Sequence, residues 1–313
     1  MKPLILCHLG VRSTPLADDE RKLELSELAK KAVREGFHKL ESNSKYPCLA
    51  AVEKTVNILE ESGITNAGIG AIKQSDGVQR ADASIMYGPT LASGAVSSLE
   101  NIKYPISIAR KLLDFSELHL EEPQKYQPNF YFCGYFIEKL FESHGETIPD
   151  DWKIKRDIKG SIQYKSNSIN EGDTVGAVAI DEYGNLAAAT STGGHRHSYP
   201  GRIGDSPIIG AGTYANDFCA VSNTGRGENV IKVVAAKRVC DLVKEHGLNA
   251  MLAVDKMIKE FYEMLKIRDK IGTIAIDRER NWTVNFSGPA MTWALKGDEE
   301  CYFGQLQGEK LEF

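Results

Sequence analysis

The sequence has no apolar stretch long enough to cross a membrane, since no run approaches the roughly 18 apolar residues that a membrane span needs. It also lacks an excess of basic residues: 38 lysines and arginines against 43 aspartates and glutamates give a formal net charge of −5. Phosphate recognition is usually accompanied by clustered lysine and arginine, so the composition argues against nucleic acid as a partner. With 42% hydrophobic and 26% charged residues, the 313-residue chain is typical of a globular protein.

Cysteine is sparse, and the six cysteines show neither a CxxC pair nor any other metal-ligand spacing. This distribution predicts reduced, mostly buried thiols rather than a disulfide framework or a zinc site. The first apolar run is too short for the core of a signal peptide. We therefore expect a cytoplasmic protein that does not bind membranes.

The most distinctive stretch is 172–181, with the sequence Gly-Asp-Thr-Val-Gly-Ala-Val-Ala-Ile-Asp. Small and branched apolar residues follow Thr174 almost without interruption, and a Gly-Asn turn signal separates them from a second apolar run over 186–194. This pattern predicts two buried strands joined by a hairpin. A hydroxyl therefore stands at the first residue of the first strand.

Thr174 becomes reactive if its bond to Asp173 is cut, because it then carries a free α-amine beside its own hydroxyl. An α-amine has an unperturbed pKa of about 7.7 to 8.0 and accepts the hydroxyl proton near neutral pH. Nucleophile and base would then share one residue. On the hairpin alone, the favoured interpretation of Thr174 is an ordinary β-branched strand residue.

Further blocks of sequence favour a catalytic Thr174 over an ordinary strand residue. They are Asn-Ala-Gly at 66–68, Asp-Ala-Ser-Ile-Met at 82–86, Ala-Thr-Ser-Thr-Gly-Gly at 189–194, Gly-Arg-Ile-Gly-Asp-Ser-Pro at 201–207, Gly-Ala-Gly-Thr-Tyr-Ala at 210–215 and Thr-Gly-Arg-Gly-Glu at 224–228. In this order, and together with 172–181, the blocks resemble the plant-type L-asparaginase and isoaspartyl peptidase family of N-terminal nucleophile hydrolases, which includes the glycosylasparaginases.

The resemblance implies an α+β fold, a four-layer αββα sandwich, formed as a single domain over 1–313. It also implies self-cleavage into an α subunit, 1–173, and a β subunit, 174–313, which stay associated and form a dimer of αβ heterodimers. Residues 155–173 are poor in apolar side chains and rich in turn formers. This composition predicts a mobile linker before the cleavage site, with an ordinary surface loop as the alternative.

The resemblance also assigns catalytic roles. Thr174 would be the nucleophile, Thr192 would orient it, and Thr224 with the backbone of Gly225 would stabilise the oxyanion. Without the resemblance, Thr192 is more simply a strand-end hydroxyl that satisfies a turn. The pair Thr224-Gly225 is likewise an ordinary helix cap.

Substrate binding is assigned in the same way. Arg202 suits the α-carboxylate of an amino acid through its bidentate fork, and Asp205 suits the α-ammonium. Thr224 and Gly225 would also contact the substrate, and Asn66 would add a polar contact. The alternative for Arg202 and Asp205 is an ion pair within their own loop.

No cofactor is expected for catalysis, but the resemblance implies a structural sodium ion. Its ligands would be mainly the backbone carbonyls of Leu59, Glu60, Ser62, Thr65, Ala67 and Ile69. Carbonyl ligands leave no side-chain signature in a sequence. The pair His195 and His197 is too isolated to indicate a metal site and is interpreted as lying on the surface or at the rim of a pocket.

The activity implied is hydrolysis of L-asparagine to L-aspartate and ammonia, together with cleavage of β-aspartyl dipeptides, through an acyl-enzyme on Thr174. A glycosylasparaginase is one alternative, although it expects a targeting sequence. A poorly processed, non-catalytic relative is another, because Leu9 replaces a usual glycine in the run His8-Leu9-Gly10. Glycine at that position would leave the backbone freer to approach the site.

Periodicity and turn residues predict the remaining elements. Helices are expected at 18–39, 47–61, from 105, at 130–143, 228–246 and 248–266. Strands are expected at 4–7, 78–86, 207–214, 218–222, 271–277 and 282–286.

Overall fold

The computed structural model describes residues 1–16, 18–125, 128–154, 174–267 and 269–313. The predicted linker, 155–173, and with it Asp173, lies outside the described residues. No helix in the described ranges is long and apolar enough to cross a membrane.

The described chain contains seven α-helices and thirteen strands. The helices are α1 (Asp19–Leu40), α2 (Pro47–Glu61), α3 (Pro105–Glu121), α4 (Ile137–Ser143), α5 (Gly227–Val233), α6 (Ala235–His246) and α7 (Ala250–Leu265). The strands are β1 (Leu4–Val11), β2 (Arg80–Tyr87), β3 (Ser93–Glu100), β4 (Tyr131–Cys133), β5 (Val175–Ile180), β6 (Leu186–Thr192), β7 (Thr213–Ala215), β8 (Cys219–Gly225), β9 (Ile271–Asp277), β10 (Trp282–Phe286), β11 (Met291–Gly297), β12 (Cys301–Gly304) and β13 (Leu311–Glu312).

These strands form two sheets. The larger has nine strands in the order β13-β12-β11-β1-β5-β6-β2-β3-β4, and the smaller has four in the order β10-β9-β8-β7. Neighbouring strands run antiparallel except for β3 and β4, which are parallel. Helices and a mixed sheet in one chain make the protein an α+β structure, as the sequence predicted.

Alternate residues of β1 enter different hydrophobic clusters, because successive side chains of a strand point to opposite faces of the sheet. Ile5 and Cys7 pack with residues of α1, α2 and α3. Leu4 and Leu6 pack instead with residues of the four-stranded sheet. A third cluster joins the smaller sheet to α6 and α7. The strands that carry Thr174 and Thr192 therefore lie between two packed interfaces.

Local sequence signals set the ends of the first helices. The carboxylate of Asp18 accepts a 2.7 Å hydrogen bond from the backbone N–H of Arg21 and caps α1. Pro47 occupies the first turn of α2, where its missing N–H costs nothing. The boundaries predicted for both helices agree with the structure to within one residue.

Two predicted elements are wrong in part. The helix expected over 130–143 begins only at Ile137, because β4 pairs with β3 and a 3-10 turn, Gly134–Phe136, follows it. The strand expected over 207–214 begins only at Thr213, the first residue of β7. The preceding residues form a turn, in which the N–H of Ala211 donates to the carbonyl of Ile208.

The long helix predicted over 228–246 is broken at Val234. This residue adopts a left-handed conformation, with φ 50° and ψ 51°, between α5 and α6. In the first turn of α6, the N–H groups of Ala236 and Lys237 donate to the carbonyls of Ala211 and Gly210. These contacts with a distant loop replace helical hydrogen bonds lost at the break. No local sequence signal indicates the break.

Candidate active site

The hairpin of β5 and β6 brings two threonine hydroxyls together. Val175 pairs with Ser191 in the antiparallel ladder, so the residue before β5 lies opposite the last residue of β6. The hydroxyl of Thr174 donates a 3.1 Å hydrogen bond to Oγ1 of Thr192, which also accepts from the backbone N–H of Gly194. Thr174 is only 4% exposed. The hairpin predicted from sequence, and the meeting of these two residues, are confirmed.

His8 is fully buried and contacts the main chain of Thr174. Burial lowers the pKa of its imidazole to about 3, and a hydrogen bond with the main chain of Thr174 only partly opposes this shift. The ring is therefore neutral near pH 7. Its Nδ1 accepts from the N–H of Gly10, so the proton belongs on Nε2, which lies 2.9 Å from the hydroxyl of Ser222.

A chain of buried hydroxyls continues from Ser222 between the two sheets. Oγ of Ser222 lies 2.7 Å from Oγ1 of Thr190, and Thr213 donates to Thr190 over 2.6 Å. Ser84 extends the chain by a 2.8 Å bond to Thr213. All four side chains are fully buried. This chain of hydroxyls satisfies buried polar groups from both sheets. Through Ser222 it also holds the His8 ring in place at Nε2.

Gly176 makes this arrangement possible. A Cβ at that position would lie 2.0 Å from Oγ of Ser222 and 2.6 Å from Nε2 of His8. Both distances are shorter than any real contact of a Cβ atom allows. The glycine two residues after Thr174 is thus needed for the close approach of His8 and Ser222 to β5.

Thr224 and Gly225 end β8 just before α5 begins. Oγ1 of Thr224 accepts a 3.3 Å hydrogen bond from the N–H of Val11, which leaves the hydroxyl hydrogen to donate elsewhere. Gly225 has φ 153°, and a Cβ there would lie 2.6 Å from the carbonyl oxygen of Lys270. The predicted position of this pair, immediately before a helix, is confirmed.

Arg202 pairs with Glu228 rather than with Asp205. Its Nε and Nη2 each lie 3.0 Å from a carboxylate oxygen of Glu228, in a bidentate arrangement. This hydrogen bond, outweighing burial, lowers the pKa of Glu228 to about 2. Nη1 of Arg202 makes no contact with Glu228 and lies near Gly204. The ion pair that we considered as an alternative within the 202–205 loop is not formed.

Asp205 is buried beside this pair, and its Oδ2 has no hydrogen-bond partner among the described residues. Burial raises the pKa of its carboxyl to about 7, although the charge of Arg202 acts in the opposite direction. A Cβ at Gly227 would lie within 3.0 Å of both Asp205 and Arg202. The two side chains predicted to bind the charged groups of an amino acid therefore converge on one glycine.

Asp82 lies close to the same cluster. Burial raises the pKa of its carboxyl to about 6, against the hydrogen bond from the N–H of Ser98 and the charge of Arg202. His195 is half-buried at the rim; burial lowers its pKa, and the charge of Arg202 adds to that effect. His197 is exposed. Both histidines lie where the sequence interpretation placed them.

Asn66 is held by main-chain groups around the end of β6. Its Nδ2 donates to the carbonyl of Gly194 over 2.9 Å, and its Oδ1 accepts from the N–H of Ile72 over 2.9 Å. The N–H of Gly193 also donates to the Asn66 carbonyl. Asn66 thus fixes the segment that follows Thr192.

Backbone carbonyls are packed closely in the loop expected to hold sodium. The carbonyls of Thr65 and Gly63 approach Gly70 so closely that a Cβ there would lie 2.1 and 2.9 Å from them. The carbonyl of Leu59 accepts a 2.7 Å bond from the hydroxyl of Thr65, which orders the loop. Carbonyl oxygens are ligands that hard cations accept. The described residues contain no cluster of histidine, cysteine, aspartate or glutamate fit to hold a metal ion.

Glu60, whose carbonyl was also expected to hold sodium, lies in the last turn of α2, and its side chain points towards β6. Its Oε1 accepts from the hydroxyl of Ser191 over 2.6 Å and from the N–H of Ile106 over 3.1 Å. Burial raises the pKa of this carboxyl. The carboxyl thus ties α2 to β6 one residue before Thr192.

Leu9, the departure from the expected glycine, fits its position without strain. Its backbone is not among the residues with positive φ, whereas Gly10 has φ 89°. The side chain is buried in the cluster formed with α1 and α2. The residue that needs glycine's conformational freedom is therefore still a glycine.

Comparison with known proteins matches this chain to one family. The family model described as "Asparaginase" matches residues 1–121 and 125–303. The chain belongs to the asparaginase family. It is 34% identical to the isoaspartyl peptidase/L-asparaginase of Xenopus laevis, over 99% of this chain and 97% of that protein.

Bacterial and human relatives give the same result. Identity to the isoaspartyl peptidase of Salmonella typhimurium is 33%, over 95% of this chain and 96% of that protein. Identity to the human isoaspartyl peptidase/L-asparaginase is 32%, over 97% and 96% respectively. The resemblance inferred from the sequence blocks is thereby confirmed.

Within this asparaginase-family site, sequence reasoning missed three groups. It gave no role to the side chain of His8, to Ser222 or to Glu228. His8 was visible only as the start of a variant run, and Ser222 is an ordinary residue within a strand. Glu228 was available as the last residue of the Thr-Gly-Arg-Gly-Glu block, but its pairing with Arg202 spans 26 residues.

Proposed function

We propose that this protein is an autoprocessing threonine amidohydrolase that hydrolyses L-asparagine to L-aspartate and ammonia and cleaves β-aspartyl dipeptides. The observation that carries this proposal is the 3.1 Å hydrogen bond between the hydroxyls of Thr174 and Thr192 at the start of β5. Arg202, Asp205 and Thr224 supply groups of the kinds that an amino acid and an oxyanion require.

Self-cleavage comes first in the proposed sequence of reactions. Oγ1 of Thr174 attacks the carbonyl of Asp173, the peptide becomes an ester, and water releases residues 1–173 from residues 174–313. The new α-amine of Thr174 is the base for the second reaction. Thr192, which accepts the Thr174 hydrogen bond here, orients the oxygen.

The mature enzyme uses the same oxygen on an external amide. Oγ1 of Thr174 attacks the side-chain carbonyl of the substrate, and the hydroxyl of Thr224 with the N–H of Gly225 stabilises the oxyanion. Ammonia or an amino acid leaves with a proton from the α-amine, and water then hydrolyses the acyl-enzyme. Nη1 of Arg202 binds the α-carboxylate and Asp205 the α-ammonium.

We propose further that the layers form the four-layer αββα sandwich of N-terminal nucleophile hydrolases, as one domain. Support comes from three hydrophobic clusters, in which helices α1 to α3 pack on the larger sheet, the two sheets pack on each other, and α6 and α7 pack on the smaller sheet. The cleaved fragments remain associated and two αβ units form a dimer. The six unpaired cysteines are consistent with a cytoplasmic location.

A structural sodium ion in the loop 59–69 completes the proposal. Leu59, Glu60, Ser62, Thr65, Ala67 and Ile69 would hold it through their carbonyls. The ion would stiffen the loop that carries Asn66, while the chemistry itself needs no cofactor. Replacement of sodium by lithium in dialysed protein should lower the melting temperature if the ion has this role.

The proposal is tested with the wild type and Thr174→Ala. Mass analysis and amino-terminal sequencing of the wild type should find two fragments, the second beginning Thr-Val-Gly. Ammonia release from L-asparagine and hydrolysis of β-aspartyl dipeptides should both disappear in Thr174→Ala, which should remain one chain. Activity retained by that variant, or an intact wild-type chain after long incubation, would contradict the proposal. Hydrolysis of a glycosylated asparagine in preference to both substrates would favour a glycosylasparaginase instead.

A further inference from the structure

The structure has an open cleft of about 810 Å³ whose lining does not include Thr174, Thr192 or Arg202. It is large enough for a small ligand, since ligand pockets usually measure about 300–1,000 Å³. We call it the basic cleft. The lining residues that matter here are Arg12, Tyr262, Lys266, Asp269, Lys270 and Ser287.

The basic cleft adjoins the residues proposed to stabilise the oxyanion. Arg12 directly follows Val11, whose N–H donates to Oγ1 of Thr224. The carbonyl of Lys270 occupies the space beside Gly225, at 2.6 Å from where a Cβ would stand. One wall of the cleft is therefore continuous with Thr224 and Gly225.

Electrostatics link the cleft to the substrate-binding side as well. The charges of Arg202 and Lys270 both lower the pKa of His195, after burial, which is the larger cause. His195 is thus near enough to sense both cations.

The cleft has a positive charge although the whole chain carries a formal net charge of −5. Of the described residues that line it, three are cations, Arg12, Lys266 and Lys270, and one is a carboxylate, Asp269. That carboxylate is already engaged: Oδ1 accepts from the N–H of Lys270, and Oδ2 accepts from Nδ2 of Asn229 over 2.8 Å. Among the described residues, no ion pair holds the ammonium of Lys266 or Lys270.

We propose that the basic cleft binds the α-carboxylate of the amino acid that leaves when a β-aspartyl dipeptide is cleaved. This inference rests on the proposed function. In that reaction the C–N bond breaks, the aspartyl group stays on Oγ1 of Thr174, and the amino acid leaves as an amine. The carboxylate carbon of this amino acid is two bonds from the scissile nitrogen. In the proposed reaction that nitrogen lies next to Thr224 and Gly225, which stabilise the oxyanion. L-Asparagine releases only ammonia, which does not reach the cleft.

The experiment compares wild type with Lys266→Gln/Lys270→Gln on three substrates: β-aspartyl-leucine, its C-terminal amide and L-asparagine. In the wild type, kcat/KM for the free dipeptide should exceed that for its amide by about tenfold, a factor equivalent to about 1.4 kcal/mol. In the double variant this preference should fall below about twofold. The ratio of dipeptide to asparagine activity should fall by a similar factor.

Lys256→Gln is the matched control, because Lys256 is an exposed lysine of α7 outside the cleft. It should keep the wild-type preference for the free carboxylate. Fragment masses and melting temperature of each variant verify processing and folding.

Three results would overturn the inference. A wild-type enzyme that cleaves the free dipeptide and the amide equally well has no carboxylate subsite. A double variant that keeps the full preference places the subsite elsewhere, and so does an equal loss on all three substrates, because the ratios between them are then unchanged. Wild-type protein that is processed but hydrolyses none of the three would instead overturn the proposed function, and this inference with it.

Discussion

At the scale of single residues, the role proposed for Asp205 makes substrate binding depend on pH. Burial raises the pKa of this carboxyl to about 7, so the free protein holds it neutral at lower pH. Pairing with a substrate ammonium requires the ionised form. The inhibition constant of L-aspartate should therefore rise about tenfold for each pH unit below 7 and level off above pH 8.

Measurement of L-aspartate inhibition between pH 5.5 and 8.5 checks this expectation. Asp205→Asn, which has no proton to lose, is the control and should bind L-aspartate weakly with no such slope. If the inhibition constant of L-aspartate for the wild type is the same at pH 6 and pH 8, Asp205 is excluded as the partner of the ammonium.

Ser222 is the residue on which the buried hydroxyl chain depends. Its removal takes away the 2.9 Å partner of Nε2 of His8 in a site closed to solvent, whereas Thr190 keeps its bonds to Gly212 and Thr213. An unsatisfied buried polar group costs about 1–3 kcal/mol. Ser222→Ala should therefore lower the melting temperature by roughly 1.5–5 °C, because an unfolding entropy of about 2.1 cal/mol/K per residue makes 1 kcal/mol worth about 1.5 °C in a chain of this size.

The comparison is best made in the Thr174→Ala background, where the chain stays in one piece. Ser143→Ala is the matched control, since Ser143 is exposed and its hydroxyl contacts only groups at the end of its own helix, the carbonyl of Leu140 and Nδ1 of His144. It should change stability by less than about 0.5 kcal/mol. Equal melting temperatures for the two serine variants would show that the hydroxyl chain contributes nothing to stability.

At the scale of elements, the break between α5 and α6 concentrates strain in one residue. A β-branched side chain in the left-handed region is disfavoured by about 1–2 kcal/mol, and Val234 is 46% exposed, so little burial compensates. Asparagine tolerates this conformation better. Val234→Asn should raise the free energy of unfolding by about 0.5–1 kcal/mol.

Denaturant unfolding of the Thr174→Ala chain measures this effect. Lys232→Asn, at an exposed helical position of α5, is the control and should lower the free energy of unfolding by about 0.5 kcal/mol through helix propensity alone. If both asparagine variants lose the same stability, the strain assigned to Val234 is absent.

The same element marks the limit of prediction from the sequence. The apolar periodicity of 228–246 is continuous, and Val234 carries no glycine or proline signal. The carbonyls of Gly210 and Ala211, which accept from the start of α6, are supplied by a distant loop. By contrast, the hairpin of β5 and β6 is fully specified by local apolar runs and its Gly-Asn turn.

At the scale of the whole molecule, the two predicted fragments share one sheet. β1 belongs to residues 1–173 but lies between β5 and β11, which belong to residues 174–313. β2 likewise pairs with β6. Separation would break three strand ladders and open two hydrophobic clusters, so cleavage should leave the fragments associated.

Gel filtration tests this expectation. The processed wild type should elute as one species containing both fragments, at the volume of uncleaved Thr174→Ala, and should separate only in denaturant. Elution of free fragments in native buffer would show that the sheet does not hold them together.

The sequence by itself determined what depends on neighbours along the chain. Apolar periodicity, capping residues and the hairpin placed Thr174 opposite Thr192, and ordered sequence blocks identified the asparaginase family. Tertiary structure decided the contacts that join distant segments: His8 with Ser222, Arg202 with Glu228, and the basic cleft beside Gly225. It also added β11 to β13, which follow the last strand predicted. The reason is physical: burial, charge and hydrogen bonding between distant segments depend on how the two sheets pack, which local patterns do not encode.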